Sequence, residues 1–316
     1  MFFYKNKILI STFFLIGTTI TFLLLGSDHF SLSGYLYSEN YDLMSDQLAF
    51  KFFINDDWHF PIGKNPNYGM GVGNSIVFSG AVPILAFLIK PIVNFLPANF
   101  QFLSIWLVCC FTLQLIFSYL IIFNFTKNNF YSFVSSLLFI FSPILLYRVP
   151  INITLVAHWL ILACFYFEIQ NFNKEKTFFY SLILSIALLI HFYFVPMILI
   201  IQYSFLIYEY YLIREIKIKL KEVLIPLLCI FCTAYVSGYF EISVFDAMGY
   251  GFGYYSFNLS GLFDSQSSQN GIDWSLFLSD ISNTKGQAEG FSYLGIGGLI
   301  TFIFLFINFF RKKNKI

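Results

Sequence analysis

Apolar runs of a length that can cross a bilayer recur along this chain, at 8–25, 76–95, 100–123, 130–147, 154–169, 177–211, 223–240 and 291–310. A hydrocarbon core of about 30 Å takes roughly 20 helical residues at 1.5 Å each. In lipid the backbone must satisfy its own polar groups, which leaves helices or a closed barrel. Continuous apolar runs without alternation therefore predict an all-α, polytopic membrane protein. Composition agrees, with 58% hydrophobic and only 11% charged residues, where soluble domains carry about 25% charged. The first run exceeds a signal-peptide core and no small-x-small cleavage site follows it, so it reads as a retained anchor. A net charge of +1 gives no footprint for nucleic acid. All five cysteines lie inside apolar runs, and the Cys229–Cys232 spacing reads as packing rather than a redox pair.

Two runs are ambiguous. The one at 177–211 would be a single helix of about 52 Å, and His191 and Pro196 interrupt it. It divides into 177–190 and 195–211, with His191–Phe194 as the turn. The run at 76–95 carries Pro83, Lys90 and Pro91 and either crosses, lies in the interface or re-enters. Lysine and arginine near span ends favour the cytoplasm. If 76–95 does not cross and 177–211 crosses twice, thirteen of the 18 basic residues face inward. Only Lys51, Lys64, Lys90, Arg148 and Lys285 remain outside. The reading is then one integral membrane domain over 1–316 with about eight spans, both termini in the cytoplasm and outer loops at 26–99 and 241–290. Twelve of the 17 acidic residues fall on that outer side. The segment Ile213–Lys221 alternates apolar and basic residues as an inner-leaflet helix would.

The first outer loop gathers Asp28, Glu39, Asp42, Asp46, Asp56 and Asp57. Asp56 to Pro61, followed by Asn65 to Gly69, reads as turn-rich loop. Asp56 and Asp57 with His59 form a candidate divalent-metal set, against the reading of a solvated acidic turn. No other cofactor is indicated. All four histidines, His29, His59, His158 and His191, fall on the outer side, which points to a shared polar cavity or to interface residues. Arg148 departs from the inward trend, either as a fork for phosphate or carboxylate or as a snorkelling side chain. In the second loop, aromatics interleaved with glycine from Tyr250 to Phe257 fit an interface belt or a sugar face. Glu289 enters the last span as a candidate orienting group.

The motifs Trp58-His-Phe-Pro-Ile-Gly63, Asn65-Pro-Asn-Tyr-Gly69, Asn74-Ser-Ile-Val-Phe78, Ala157-His-Trp-Leu-Ile-Leu162 and Glu289-Gly-Phe-Ser-Tyr-Leu-Gly295 resemble a bacterial family of multi-pass membrane proteins. That family resembles in turn the GT-C class of glycosyltransferases, which use a sugar carried on polyprenyl phosphate. The resemblance implies a GT-C-like fold in the bacterial plasma membrane, with a lipid-linked sugar as partner. It also implies an essential carboxylate in the first outer loop, best matched by Asp46 in Ser45-Asp-Gln-Leu, with Asp28 second. Arg148, His158, His191, Glu289, Trp58 and His59 then become candidate substrate contacts. The resembled family often carries an aspartate where this chain has Gly80. Rival expectations are a non-catalytic membrane partner of a larger transferase and a transporter or flippase of a lipid-linked sugar.

Overall fold

The computed structural model describes residues 7–33, 41–69, 72–170, 175–213, 220–241, 259–263, 275 and 291–313. Among these residues the chain is all-α, with eleven α-helices and one two-residue strand pair, Lys64–Asn65 against Asn74–Ser75. The described residues divide into two compact units, where the sequence reads as a single domain. The first comprises Met1–Ile140 and Val149–Asp246, the second Phe141–Arg148 and Ala247–Ile316.

In the first unit, α1 (Lys7–Phe30) packs along α4 (Leu103–Thr126), which also contacts α5 (Asn129–Ile140) and α7 (Trp159–Ile169). A second group joins α8 (Lys176–Ile190), α9 (Phe194–Tyr208) and α10 (Leu220–Ser237), with α9 bridging to α7. The turn between α4 and α5 follows from two residues. Lys127 takes a left-handed φ of 53°, and the Oδ1 of Asn128 accepts the Tyr131 N–H at 3.1 Å, capping the next helix. The long run at 177–211 does break at the histidine. His191 is extended and its Nδ1 accepts the Tyr193 N–H at 3.2 Å before α9 starts at Phe194.

By length and composition α1, α4, Phe194–Tyr211 and α10 are apolar enough to cross a membrane, and α5 with α6 (Pro143–Ile151) adds a fifth. Ile153–Ile169, Lys176–Ile190 and Gly295–Arg311 are apolar but shorter. Large hydrophobic side chains on α1, such as Ile8 at 86% and Leu23 at 73% exposed, face outward. Outward apolar surface of this kind is consistent with a lipid surround. The segment at 76–95 forms α3 (Pro83–Ile89) and a 3₁₀ turn, Lys90–Phe95. At about 20 Å it is too short to cross a core of about 30 Å. The five cysteines are free.

The stretch read as the first outer loop holds more structure than its sequence announced. Tyr41–Asn55 forms a helix, α2, for which the sequence reading made no assignment. Its buried residues Leu43, Gln47, Phe50 and Ile54 recur at helical spacing, and Phe50 packs tilted against Phe102 at 4.5 Å between centroids. Asp42 in its first turn suits the positive end of the helix dipole. The Asn65–Gly69 motif then clamps this helix. Asn65 Nδ2 donates to the Ala49 carbonyl at 3.0 Å, Asn67 Nδ2 to Asp56 Oδ1 at 3.0 Å, and the Tyr68 hydroxyl shares a hydrogen bond with Ser45 Oγ at 2.8 Å. Asn65 is fully buried, so Asn65→Ala leaves the Ala49 carbonyl short of a donor. We expect it to cost about 1–3 kcal/mol of stability, read as a lower thermal midpoint. The neighbouring Trp58–Gly63 segment docks on the end of α10, where the Ile62 N–H donates to the Val236 carbonyl at 2.9 Å and Ser75 Oγ to the Ser237 carbonyl at 3.1 Å.

At the ends of α7, α8 and α9 lies a buried ionic cluster. Lys176 Nζ is 3.0 Å from Glu168 Oε2 and also binds Glu209 Oε1, while the Tyr180 hydroxyl donates to Glu168 Oε1 at 2.7 Å. Glu209 opens a π-turn, Glu209–Ile213, that continues α9. The three charged side chains are between 2% and 10% exposed.

In the second unit, Tyr147 stacks on Phe291 at 4.3 Å, and the Leu294 N–H donates to the Leu262 carbonyl at 3.2 Å. Gly295, with φ +75°, starts α11 (Gly295–Lys313) against the ring of Pro143. The Arg148 guanidinium lies 5.8 Å from the Tyr147 ring.

Candidate functional site

Asp46 occupies an unusual place on α2. It lies three, four and seven residues before the buried Ala49, Phe50 and Phe53, so helical periodicity turns the carboxylate toward the packed face. There its Oδ1 accepts the Gly80 N–H at 2.7 Å. A Cβ on Gly80 would overlap Asp46 Oδ2 and come within 2.7 Å of Cγ, so the carboxylate occupies the space that a side chain at 80 would need. Burial pushes the Asp46 pKa up to about 6, the Gly80 N–H pulls it down, and Asp42 adds to the rise. A carboxyl poised near neutrality can hold and release a proton under physiological conditions.

Asp46 lines a cavity of about 530 Å³ in the first unit, within the range of small-molecule sites. Asp42 and Ser45 join it from α2, and Phe78, Ser79 and Gly80 from the segment before α3. Asn152, His191 with Phe192, and Tyr239 close the other sides. Each has a local cause. His191 and Phe192 lie in the break between α8 and α9, and Tyr239 follows α10, its hydroxyl donating to the Leu188 carbonyl at 2.8 Å. Asn152 precedes a 3₁₀ turn, and its Oδ1 accepts the Thr154 hydroxyl. Because His191 Nδ1 accepts a backbone N–H, the neutral ring carries its proton on Nε2, a donor.

Gly80→Ala is expected to cost about 1–3 kcal/mol and to displace the Asp46 carboxylate. In the Asp46→Ala/Gly80→Ala double variant the overlap is gone and most of that cost should return, which thermal unfolding of the four proteins would show.

The structure brings Asp46 and His191 into one cavity, and Asp28, Asp56, Asp57, Trp58, His59 and His158 are not among its lining residues. Asp28 is exposed at the end of α1, where Ser27 Oγ donates to it at 2.9 Å, and is not among the cavity residues. Asp56 and His59 face each other at 3.4 Å, close to Lys90. Among the described residues no three His, Cys, Asp or Glu side chains are arranged to hold a metal ion. Trp58 and Phe53 instead cover Lys90, whose Nζ lies 4.7 and 4.0 Å from their ring centres and donates to the Asp57 carbonyl at 3.0 Å. Burial lowers the Lys90 pKa, partly offset by Asp56 and Asp57. This cage supplies Lys90 with two aromatic faces and a backbone acceptor. His158 precedes α7 with its ring 6.4 Å from Phe194, and is not among the cavity residues. The four histidines therefore do not share one cavity. Arg148 belongs to the second unit, and Glu289 and Tyr250–Phe257 lie outside the described residues.

Sequence reading passed over Asn152, Tyr239 and the pairing of Asp46 with Gly80. For Asp46 a signal existed in its place on the apolar stripe of α2. No curated protein and no solved structure matches the chain. Residues 14–316 match the family described as Domain of unknown function (DUF6311), and the chain belongs to that family.

Proposed function

We propose that this protein is a membrane glycosyltransferase that moves a sugar from a polyprenyl-phosphate carrier to an acceptor hydroxyl at the outer face of the bacterial plasma membrane. The observation that carries the reading is Asp46, a half-buried carboxylate with a pKa of about 6, held by Gly80 in a cavity of about 530 Å³ that His191 also lines. The reading also takes the chain as an eight-span, GT-C-like protein with both termini in the cytoplasm, which the distribution of basic residues supports.

Asp46 accepts the proton of the acceptor hydroxyl as that oxygen bonds to the anomeric carbon. The bond from that carbon to the phosphate oxygen breaks, its electron pair leaves with the polyprenyl phosphate, and the configuration inverts. Asp46 then returns its proton to water. His191, through Nε2–H, donates to a polar group of the bound sugar. The carrier's tail stays in lipid, which is why such a site lies among spans.

A second reading has its own observation. The cluster of Glu168, Lys176 and Glu209 buries ionisable groups where the ends of three apolar helices meet, and favours movement of a lipid-linked sugar without bond making. One experiment bears on both. With native cysteines replaced and a single cysteine at position 46, an impermeant thiol reagent is applied to intact cells, with and without lipid-linked sugar. The transferase reading expects labelling that the sugar lipid blocks. Labelling only in inverted vesicles would overturn the outward site.

A further inference from the structure

The cavity around Asp46 combines three features that together specify its ligand more narrowly than "a sugar". Asp42 and Asp46 stand one helical turn apart on α2, which puts their side chains on neighbouring positions of one face, and both line the cavity. Phe78, Phe192 and Tyr239 contribute aromatic faces, with Phe192 54% exposed and Phe78 43% exposed rather than sunk in the core. Ser45, Ser79 and Asn152 add neutral hydrogen-bonding groups, and no lysine or arginine is among the described residues lining it.

Each feature selects. Aromatic faces take the C–H face of a pyranose and also attract a cation. Serine and asparagine side chains pair with hydroxyls. Two carboxylates repel a phosphate and favour an ammonium, which would also reduce the repulsion between Asp42 and Asp46. If Asp46 must stay available to take a proton from a hydroxyl, Asp42 is the carboxylate left to hold the charge.

We propose that the cavity binds an amino sugar as its protonated amine, with Asp42 as the residue that recognises the ammonium group. That this amino sugar is the one transferred rests on the transferase reading, but the binding preference stands apart from catalysis. The carrier phosphate accordingly lies outside the cavity, and the amine-bearing ring lies within it.

The test uses the full chain in lipid nanodiscs near neutral pH, where an aliphatic amine is protonated. Binding of glucose and of its monoamino analogues is measured by saturation-transfer NMR for the wild type and for Asp42→Asn. The expected result is that at least one amino analogue binds about tenfold or more tightly than glucose, the scale of one charge-assisted hydrogen bond. Asp42→Asn should remove that preference, bringing the amino analogues to the affinity of glucose. Equal binding of glucose and every amino analogue overturns the proposal, and so does a preference that survives Asp42→Asn. Loss of all binding in Asp42→Asn, with Asp42→Glu restoring the amine preference, supports it; loss in both overturns it. An Asp42-dependent amine preference in a protein that transfers nothing would leave this inference standing and remove the transferase reading. Transfer of neutral sugars without an amine preference would do the reverse.

Discussion

Asp46→Asn is expected to lower sugar transfer by about a hundredfold or more, the usual range for removing a general base, while the folded protein stays as stable as wild type or becomes more so. The stability half of this expectation follows from the sign of the pKa shift. Folding raises the Asp46 pKa from 3.8 to about 6, so the folded state binds the proton more tightly than the unfolded chain. The associated stability is fully present below the unfolded value and is lost as pH rises through about 6. At neutral pH the ionised carboxylate is therefore a cost to the fold, and asparagine removes it. Activity has the opposite slope, because the base must be ionised, and should rise with pH through about 6 before levelling. A variant that loses transfer together with its thermal midpoint would indicate a structural role for Asp46, whereas loss of transfer alone fits the base. The pH profile of wild-type transfer checks the same assignment without mutation.

Lys176→Met is expected to be the most destabilising single change, at about 3–5 kcal/mol. It removes the cation that bridges Glu168 and Glu209 and leaves two buried carboxylates at the ends of α7, α8 and the π-turn. Buried ion pairs add little to stability over a well-packed apolar substitute, but half of one costs a great deal. The control follows from that asymmetry. Replacing all three charges together, as Glu168→Gln, Lys176→Met and Glu209→Gln, should restore most of the loss. Urea or thermal unfolding in detergent would measure both. If the single variant unfolds like wild type, Glu168 and Glu209 are not held by Lys176 as described.

The helix pattern was largely legible from the chain because apolar runs and their interruptions are strong, local signals. The break at His191 is an example, since a run too long for one crossing needs a turn and a histidine followed by Pro196 supplies it. The segment at 76–95 was legible as an exception for the same reason, through Pro83 and Pro91. Helix α2 was not singled out because its apolar stripe is interleaved with acids and sits in a stretch rich in turn residues. That omission also concealed how Asp46 is held.

The site was less legible because its parts meet through tertiary packing. Gly80 looked like a missing carboxylate when compared with the resembled family. In the folded chain that space is already filled by the carboxylate of Asp46 from another element. Asn152, His191 and Tyr239 come from three helix ends, and nothing in their spacing announces that those ends converge. The histidines illustrate the opposite error. An expected common side of the membrane does not imply a shared cavity, and of the four only His191 lines the one containing Asp46. His59 pairs with Asp56 near the Lys90 cage, which has a sufficient structural role of its own.

The most direct test of the central claim is release of polyprenyl phosphate. Purified wild-type protein in proteoliposomes would be given radiolabelled lipid-linked sugars, including amino sugars, with an envelope lipid extract as acceptor. The account predicts free polyprenyl phosphate formed in step with labelled glycosylated product, and neither with Asp46→Asn. Sugar lipid that changes leaflet intact, with no polyprenyl phosphate released, would contradict the transferase and establish the transport reading.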